Sequence, residues 1–187
     1  DALLGIVRQV FLQEEQVVGL PDAGVCGEDG GDPVHRVDDL NARAAPALLR
    51  LREALQAFIT ALPPEHEIVF ITTGRQFRVH VPPTTDRGRV ARAISTIFTD
   101  RGAGNVLLDS LVEADDRFLR RDDVSWPVMV MITTDGPEGS TVTRTEEYNA
   151  FMQSLTARAA TVHATLLQAG SGGGLPVQVA MNLTQAT

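Results

Sequence analysis

The sequence predicts an α/β domain of three layers, with helices on both faces of a mostly parallel sheet and one antiparallel edge strand. Three observations lead to this fold class. Apolar strand segments alternate with amphipathic helices from residue 47 onward. The segment 128–133, Val-Met-Val-Met-Ile-Thr, is apolar enough to be buried on both faces, which is typical of a central parallel strand. The segments 67–73 and 77–81 are joined by Gly74-Arg75-Gln76, which is too short for a parallel crossover and predicts an antiparallel hairpin.

Helices are indicated where apolar residues recur at spacings of three and four. The first begins at residue 47 and ends at the break Pro63-Pro64. Three more have their apolar faces at Val90, Ile94, Ile97 and Phe98; at Leu107, Leu111, Ala114 and Phe118; and at Tyr148, Met152, Leu155 and Ala159. The last strand is 161–167. In the edge strand, Phe77, Val79 and Val81 are expected on one side, with Arg78 and His80 facing outward.

The N-terminal part of the chain is harder to assign. Residues 1–33 give no clear element, and we expect the domain to occupy 34–187. Two segments could hold the first core strand, Gln-Val-Val-Gly-Leu at 16–20 or Val-His-Arg-Val at 34–37. The sequence leaves both open.

Composition excludes several classes of function. The net charge of -8 and a pI near 4.9 argue against a nucleic-acid partner, because phosphate binding needs a basic face. All sixteen basic residues are Arg, so Schiff-base lysines and lysine-containing phosphate loops are excluded. The single cysteine, Cys26, excludes an intrachain disulfide.

No stretch is apolar over the roughly 18 residues that a membrane span needs, so no membrane insertion is expected in this segment. The run Gly-Ser-Gly-Gly-Gly at 170–174 lacks dinucleotide-loop spacing and is expected to be a flexible connection.

Polar residues stand at strand ends and helix starts, where ligands bind in open α/β sheets. Asp135 follows the strand 128–133, although an Asp-Gly pair is also common in turns. Asp39 and Asn41 precede the first helix, and Asn105 precedes the helix that begins near residue 107.

These stretches together resemble the von Willebrand factor A (vWA) domain. Arg-Gly-Ala-Gly-Asn-Val-Leu-Leu-Asp-Ser-Leu at 101–111 is similar to the family's Gly-Gly-Thr-Ala-Leu-Tyr-Asp-Ala-Leu stretch, which makes Asp109 the helical Asp of that motif. Val-Met-Val-Met-Ile-Thr-Thr-Asp-Gly at 128–136 is similar to its Leu-Thr-Asp-Gly strand end. The resemblance implies a Rossmann-like fold over 34–187 and a metal-ion-dependent adhesion site, at which a partner's carboxylate completes the shell of a divalent cation.

The ligand set that the resemblance implies is degenerate here. It comprises Asp39, Asn41, Asn105 and Asp135, of which only Asp39 and Asp135 keep the family's residue type. Arg43 stands where the family has a serine, and its charge would compete with Mg²⁺ for the same carboxylates. An alternative register places the first ligand at Asp22, but it would leave a long insertion between that residue and the helix that begins at residue 47. We therefore expect no resident cofactor, with Mg²⁺ binding at most weakly.

The resemblance implies a non-catalytic adhesion or scaffolding module with a protein partner, and by family a bacterial extracytoplasmic location. The alternatives are a metal-dependent hydrolase using Asp39 and Asp135, or a purely structural domain. No strong base or nucleophile accompanies those carboxylates, so the sequence predicts no enzyme.

The family continues beyond the equivalent of residue 187, so we expect a C-terminally truncated domain that self-associates through exposed apolar surface, or one completed by residues 1–20.

Overall fold

The computed structural model describes residues 6–13, 48–74, 76–97, 106–121, 124–134, 138–141, 145–167 and 174–187. Its strands are β1 Ile6–Gln13, β2 Glu67–Thr72, β3 Arg78–Thr84, β4 Val124–Thr134 and β5 Thr161–Leu167. Its helices are α1 (48–61), α2 Arg87–Ser95, α3 Leu107–Ala114, α4 Thr145–Ala157 and α5 Leu175–Ala186. α3 continues into a wider π-helical turn over Asp115–Leu119.

The strands form one sheet in the order β3-β2-β1-β4-β5. β1 lies between β2 and β4 and is parallel to both, and β5 is parallel to β4. β3 pairs antiparallel with β2 at one edge. The mostly parallel sheet with a single antiparallel edge strand is confirmed.

Helices cover both faces of the sheet, which completes the three layers of a Rossmann-like fold. On one face, α1 and α2 pack on β2, β3 and β4, with a core of Leu55, Ile59, Ile68, Phe70, Val81, Val90, Ile94, Ile97 and Ile132. On the other face, α3, α4 and α5 bury a larger core that includes Leu107, Leu111, Met129, Met131, Phe151, Leu155, Val162, Val179 and Leu183. None of the helices in these ranges is both long and apolar enough to cross a bilayer.

The central strand is formed by residues 6–13, and the expectation that 16–20 or 34–37 supplies the first core strand was wrong. Those two segments lie outside the described residues. The sequence Ile-Val-Arg-Gln-Val-Phe-Leu-Gln interrupts its apolar run with Arg8 and Gln9, so it does not show the continuous apolar pattern of a buried parallel strand. The sheet thus includes residues N-terminal to the domain boundary expected at residue 34.

The edge strand β3 also departs from prediction. Phe77 and Val79 pack against the core under α3, whereas Val81 belongs to the core under α1 and α2. The three side chains therefore do not share one side. The cause is a β-bulge, because the register with β2 shifts between Phe70 and Ile71, which pair with Val81 and Val79 respectively. An extra residue reverses the alternation of every side chain beyond it.

His80 is the residue inserted by that bulge, and it is half-buried rather than directed outward. Its Nε2 lies 2.8 Å from the hydroxyl of Thr72, and its ring centroid lies 5.6 Å from that of Phe70. Arg78 is exposed, as the edge position predicts.

Candidate binding site at the carboxyl edge of the sheet

The carboxyl ends of β1, β2 and β4 meet at one edge of the sheet, because these strands are parallel neighbours. Threonines stand at this edge, with Thr72 and Thr73 at the end of β2 and Thr133 near the end of β4, all buried. The backbone N–H of Val106 donates to the carbonyl of Thr73 at 3.2 Å. This hydrogen bond fixes the start of α3 against the same edge.

Glu138, in the segment after β4, caps the N-terminus of α3. Its carboxylate accepts from the backbone N–H of Leu107 at 3.3 Å and of Leu108 at 3.5 Å. It also accepts from the N–H of Ser140 at 3.1 Å and from the Ser140 hydroxyl. The residue at the cap position of α3, Val106, makes no capping hydrogen bond through its side chain. Glu138, 31 residues from Leu107 in the sequence, therefore accepts from N–H groups that have no partner within α3. Its negative charge also complements the dipole of α3.

Asp109 makes the reciprocal contacts from α3 to the same segment. Its carboxylate accepts from the backbone N–H of Thr141 at 2.9 Å and from the Thr141 hydroxyl at 3.0 Å. The N–H of Asp109 in turn donates to the hydroxyl of Ser140 at 3.1 Å. We call Asp109, Glu138, Ser140 and Thr141 the edge network, because together they join the segment 138–141 to the first turn of α3.

The electrostatics of the edge network centre on Glu138. Burial raises the pKa of its carboxyl above the ordinary value, and the hydrogen bonds from Ser140, Leu108 and Leu107 oppose that rise without cancelling it. The charged form of Glu138 is thus held at a net free-energy cost in the folded chain. Carboxyls with pKa values raised by burial are concentrated at functional sites, which marks this edge as the candidate site.

The four ligand residues predicted from the sequence, Asp39, Asn41, Asn105 and Asp135, all lie outside the described residues, as do Arg43 and Asp22. Their assignment stays a prediction. Asp39 was preferred to Asp22 because it would leave only a short connection between the first core strand and the first helix. The central strand ends instead at Gln13, and the sequence continues there with Glu14 and Glu15.

The described side chains at this edge do not form a ligand set for a divalent cation. Both carboxylates of the edge network accept hydrogen bonds from N–H and O–H donors, so their lone pairs are directed at protons. Among the residues whose positions are described, no three or more His, Cys, Asp or Glu side chains group closely enough to hold a metal. The Ser140 hydroxyl is engaged by Glu138 and by the N–H of Asp109, an arrangement that positions a loop.

Of the edge network, the sequence pattern predicts only Asp109, as the helical Asp of the vWA-like motif, and it does not predict Glu138. The signal available was weak: an acidic residue three positions beyond Asp135, within Asp-Gly-Pro-Glu-Gly-Ser. Its partners are about 30 residues away, beyond the reach of any local capping pattern.

Comparisons with solved structures identify the fold as that of vWA domains. A von Willebrand factor type A protein from Catenulispora acidiphila matches at TM-score 0.62 and 13% identity, over 97% of this chain and 37% of that protein. A serine-substituted, aerotolerance-related membrane protein from Bacteroides fragilis matches at TM-score 0.60 and 11% identity, over 96% of this chain and 87% of that one. Proximal thread matrix protein 1 from the mussel byssus, with a zinc-occupied metal-ion-dependent adhesion site, matches at 0.58 and 11%, over 96% of this chain and 39% of its own.

At these identities the matches establish the fold alone. No family model matches the sequence, and none of the curated proteins matches it either. The chain spans well under half the length of the Catenulispora and mussel proteins.

Proposed function

We propose that this chain is a non-catalytic protein-binding module of vWA type, and that its partner docks on the carboxyl edge of the sheet. The observation that carries the proposal is the edge network, in which Glu138 and Asp109 fix the segment after β4 to the first turn of α3, at the edge where open α/β sheets bind ligands.

The kind of contact follows from the residues present. Within the described segment 138–141, Glu138, Ser140 and Thr141 are polar and Gly139 is exposed, so this part of the face is polar rather than apolar. A partner with complementary polar or basic groups fits it. The segment is fixed to α3 at several points by the edge network, which limits the conformational entropy lost on binding.

We further propose that divalent-cation binding is weak or lost. The zinc-occupied adhesion site belongs to the mussel protein. In this chain, two of the expected ligands are the amides Asn41 and Asn105, and Arg43 supplies a competing cation. The hydrolase alternative, with Asp39 and Asp135 as a metal or acid–base pair, requires the ligand set that these substitutions weaken.

Site-directed photocrosslinking tests the binding face. A photoreactive residue replaces Thr141, which is exposed on the face, and in a matched control replaces Gln153, which is exposed on α4. The chain is then irradiated with an extract of its source cells, and adducts are identified by mass spectrometry. We expect a discrete protein adduct from position 141 that is absent from position 153.

Identical adducts from the two positions, or none from position 141, would contradict the binding face. The catalytic alternative is tested separately, by incubating the chain with ester, phosphate and peptide substrates in the presence of Mg²⁺, Mn²⁺ or Zn²⁺. Turnover that Asp135→Asn abolishes would establish the hydrolase instead.

A further inference from the structure

Arginines are concentrated at one corner of the molecule, where α2 packs on the edge strand β3. Residues 68–97 contain five Arg and a single acidic residue, Asp86, although the chain as a whole has 24 acidic residues and 16 Arg. Three of these arginines are exposed, Arg78 on β3 and Arg89 and Arg92 on α2, and we call them the basic corner. It lies within the continuous described range 76–97, at the end of the sheet opposite β5.

The guanidinium groups of the basic corner have no counter-charge in the fold. None of the three forms an ion pair or a side-chain hydrogen bond with any residue that the structure describes. Asp86 caps α2 instead, by accepting from the backbone N–H of Arg89 at 2.9 Å. Arginines near the other face of the sheet differ, since Arg117, Arg120 and Arg158 each pair with a carboxylate. Ion pairing within the fold therefore does not explain the basic corner.

The two arginines of α2 also carry their charge near the start of that helix, where its dipole disfavours cations. Arg89 belongs to the first turn, which contains no acidic residue. Arg92 belongs to the last turn, but its Nη1 lies back over Gly88, 3.5 Å from the position that a Cβ would take there. Like charges three residues apart on a helix repel one another as well. Both features lower the stability of α2.

A structural role accounts for the neighbouring arginine but not for these two. The guanidinium of Arg87 donates to the carbonyls of Pro63 and His66, and so joins α2 to the turn that follows α1. Arg89 and Arg92 make no such contact with the described residues. Residues that break a local rule of stability without a compensating contact are expected at functional positions. A bound anion would supply the missing compensation.

The chemistry of the corner favours the carboxylates of a protein over an extended polyanion. Guanidinium groups bind carboxylates through paired hydrogen bonds. At physiological ionic strength charges are screened beyond about 8 Å, so a short acidic segment is attracted by the basic corner alone. A nucleic acid or an anionic membrane would also meet the rest of a chain whose net charge is -8.

We propose that the basic corner is a docking surface for an acidic segment of a protein partner, whose carboxylates pair with Arg89 and Arg92 and with Arg78 at the start of β3. The contact is made by side chains, because Pro82, Pro83 and a register shift with β2 block backbone pairing at this edge. The surface goes beyond the binding face proposed above, since none of its residues belongs to the edge network.

Fluorescence anisotropy with a fluorescein-labelled hexaglutamate peptide tests this surface, and hexaglutamine is the neutral control peptide. We expect saturable binding of hexaglutamate that weakens as NaCl is raised, and no binding of hexaglutamine. Changing Arg89 and Arg92 together to Gln should raise the Kd about tenfold. In the matched control, Arg117→Gln with Arg121→Gln removes the same charge from exposed positions beyond α3. The control should leave the Kd within about twofold of the unmodified chain.

Thermal denaturation of the same variants separates binding from a structural role. Because the charges of Arg89 and Arg92 disfavour α2, the double Gln variant should melt at the temperature of the unmodified chain or above it. A lower melting temperature would show that these side chains stabilise the fold, and would overturn the proposal. So would hexaglutamate that does not bind, or that binds the double variant unchanged. Tighter binding of a thymidine hexanucleotide or of phosphatidylserine vesicles than of hexaglutamate would assign the corner to another class of partner.

Discussion

Two opposing effects act on the pKa of the Glu138 carboxyl. Four hydrogen-bond donors favour its charged form, while burial disfavours it and raises its pKa. The stability contributed by a carboxyl with a raised pKa is fully present below the ordinary value of 4.5 and is lost as pH rises through the folded-state pKa. Relative to Glu138→Gln, which stays neutral at all pH values and keeps one acceptor oxygen, we therefore expect the unmodified chain to lose up to about 1 kcal/mol of its free energy of unfolding between pH 4 and pH 7, after solvent screening is considered.

The comparison with alanine separates charge from capping. Glu138→Ala leaves the N–H groups of Leu107 and Leu108 without their acceptor and should lower the free energy of unfolding by about 1 to 2 kcal/mol. Urea titrations at pH 4 and pH 7 measure the unmodified chain and both variants. An unmodified chain that becomes more stable relative to the glutamine variant from pH 4 to pH 7 would show that the charge of Glu138 stabilises the fold.

Asp115 is a second buried carboxylate, and its role is structural. Its side chain is 1% exposed and accepts from Arg158, before β5, and from Arg120 at 3.1 Å. It stands at the start of the π-helical turn, whose wide hydrogen bond joins Arg120 N–H to the Asp115 carbonyl at 2.8 Å. Asp115→Asn leaves the Arg158 guanidinium without its counter-charge, so we expect a loss of about 3 to 5 kcal/mol in the free energy of unfolding, measured by urea denaturation.

The adjacent Asp116 provides the matched control. It pairs with Arg120 at 2.7 Å, but its side chain is 51% exposed. Asp116→Asn should change the free energy of unfolding by less than about 0.5 kcal/mol, because exposed ion pairs are screened by water. Equal losses from the two substitutions would mean that burial of the Asp115 pair has no energetic consequence.

At the scale of an element, α2 begins at a side-chain cap. Asp86 has extended backbone angles, and its carboxylate accepts from the N–H of Arg89 at 2.9 Å. Removing that acceptor in Asp86→Ala should lower the free energy of unfolding by about 1 kcal/mol, whereas Asp86→Asn should retain most of it, since Asn caps as well as Asp. Thermal denaturation of the three proteins measures the difference. Equal melting temperatures for alanine and asparagine variants would exclude the cap as a source of stability.

Elements with a strong period were predictable from the sequence. The predicted helices α1 to α4 and the strand β5 are present, because one buried face imposes one period on each element. Ile97 and Ala159, expected on the faces of α2 and α4, lie just beyond the ends of those helices. β1 was missed because Arg8 and Gln9 interrupt its apolar run, although its neighbours β2 and β4 place it in the centre of the sheet. The faces of β3 were misassigned because one inserted residue, His80, reverses the alternation.

The candidate site was less predictable than the fold. Residues at the ends of strands could be named from the sequence, since parallel strands end at a common edge. The capping of α3 by Glu138 could not, because it depends on where the segment after β4 lies relative to a helix about 30 residues earlier. Contacts of that separation are set by tertiary packing and leave no period in the sequence.

At the scale of the whole molecule, charge is distributed unevenly. The end of the sheet formed by β5 and α5 has no Asp, Glu, Lys or Arg, and every such residue lies in the preceding part of the chain. The edge network, with Asp109 and Glu138, belongs to the charged part. The face proposed for a partner therefore lies apart, in sequence and in charge, from the uncharged end of the sheet.

The net charge of -8 also affects how the chain responds to divalent cations. An intact site with a Kd near about 1 mM would stabilise the folded chain by roughly 1.4 kcal/mol in 10 mM Mg²⁺. For a domain of this size that equals about 2 to 4 °C in melting temperature. Because Asn41, Asn105 and Arg43 replace the family's residues in the expected ligand set, we expect less than about 1 °C between 10 mM Mg²⁺ and EDTA.

The control for that measurement is NaCl at matched ionic strength, about 30 mM, since any cation screens repulsion within an acidic chain. The further control is Asp135→Asn, which removes one of the two expected ligands that keep the family's residue type. A shift of several degrees that appears with Mg²⁺, is absent with NaCl and is lost in Asp135→Asn would contradict the weak site. It would make Asp135 a working metal ligand, and because β1 ends at Gln13, the residues to test next as its partners would be Glu14 and Glu15 as well as Asp39.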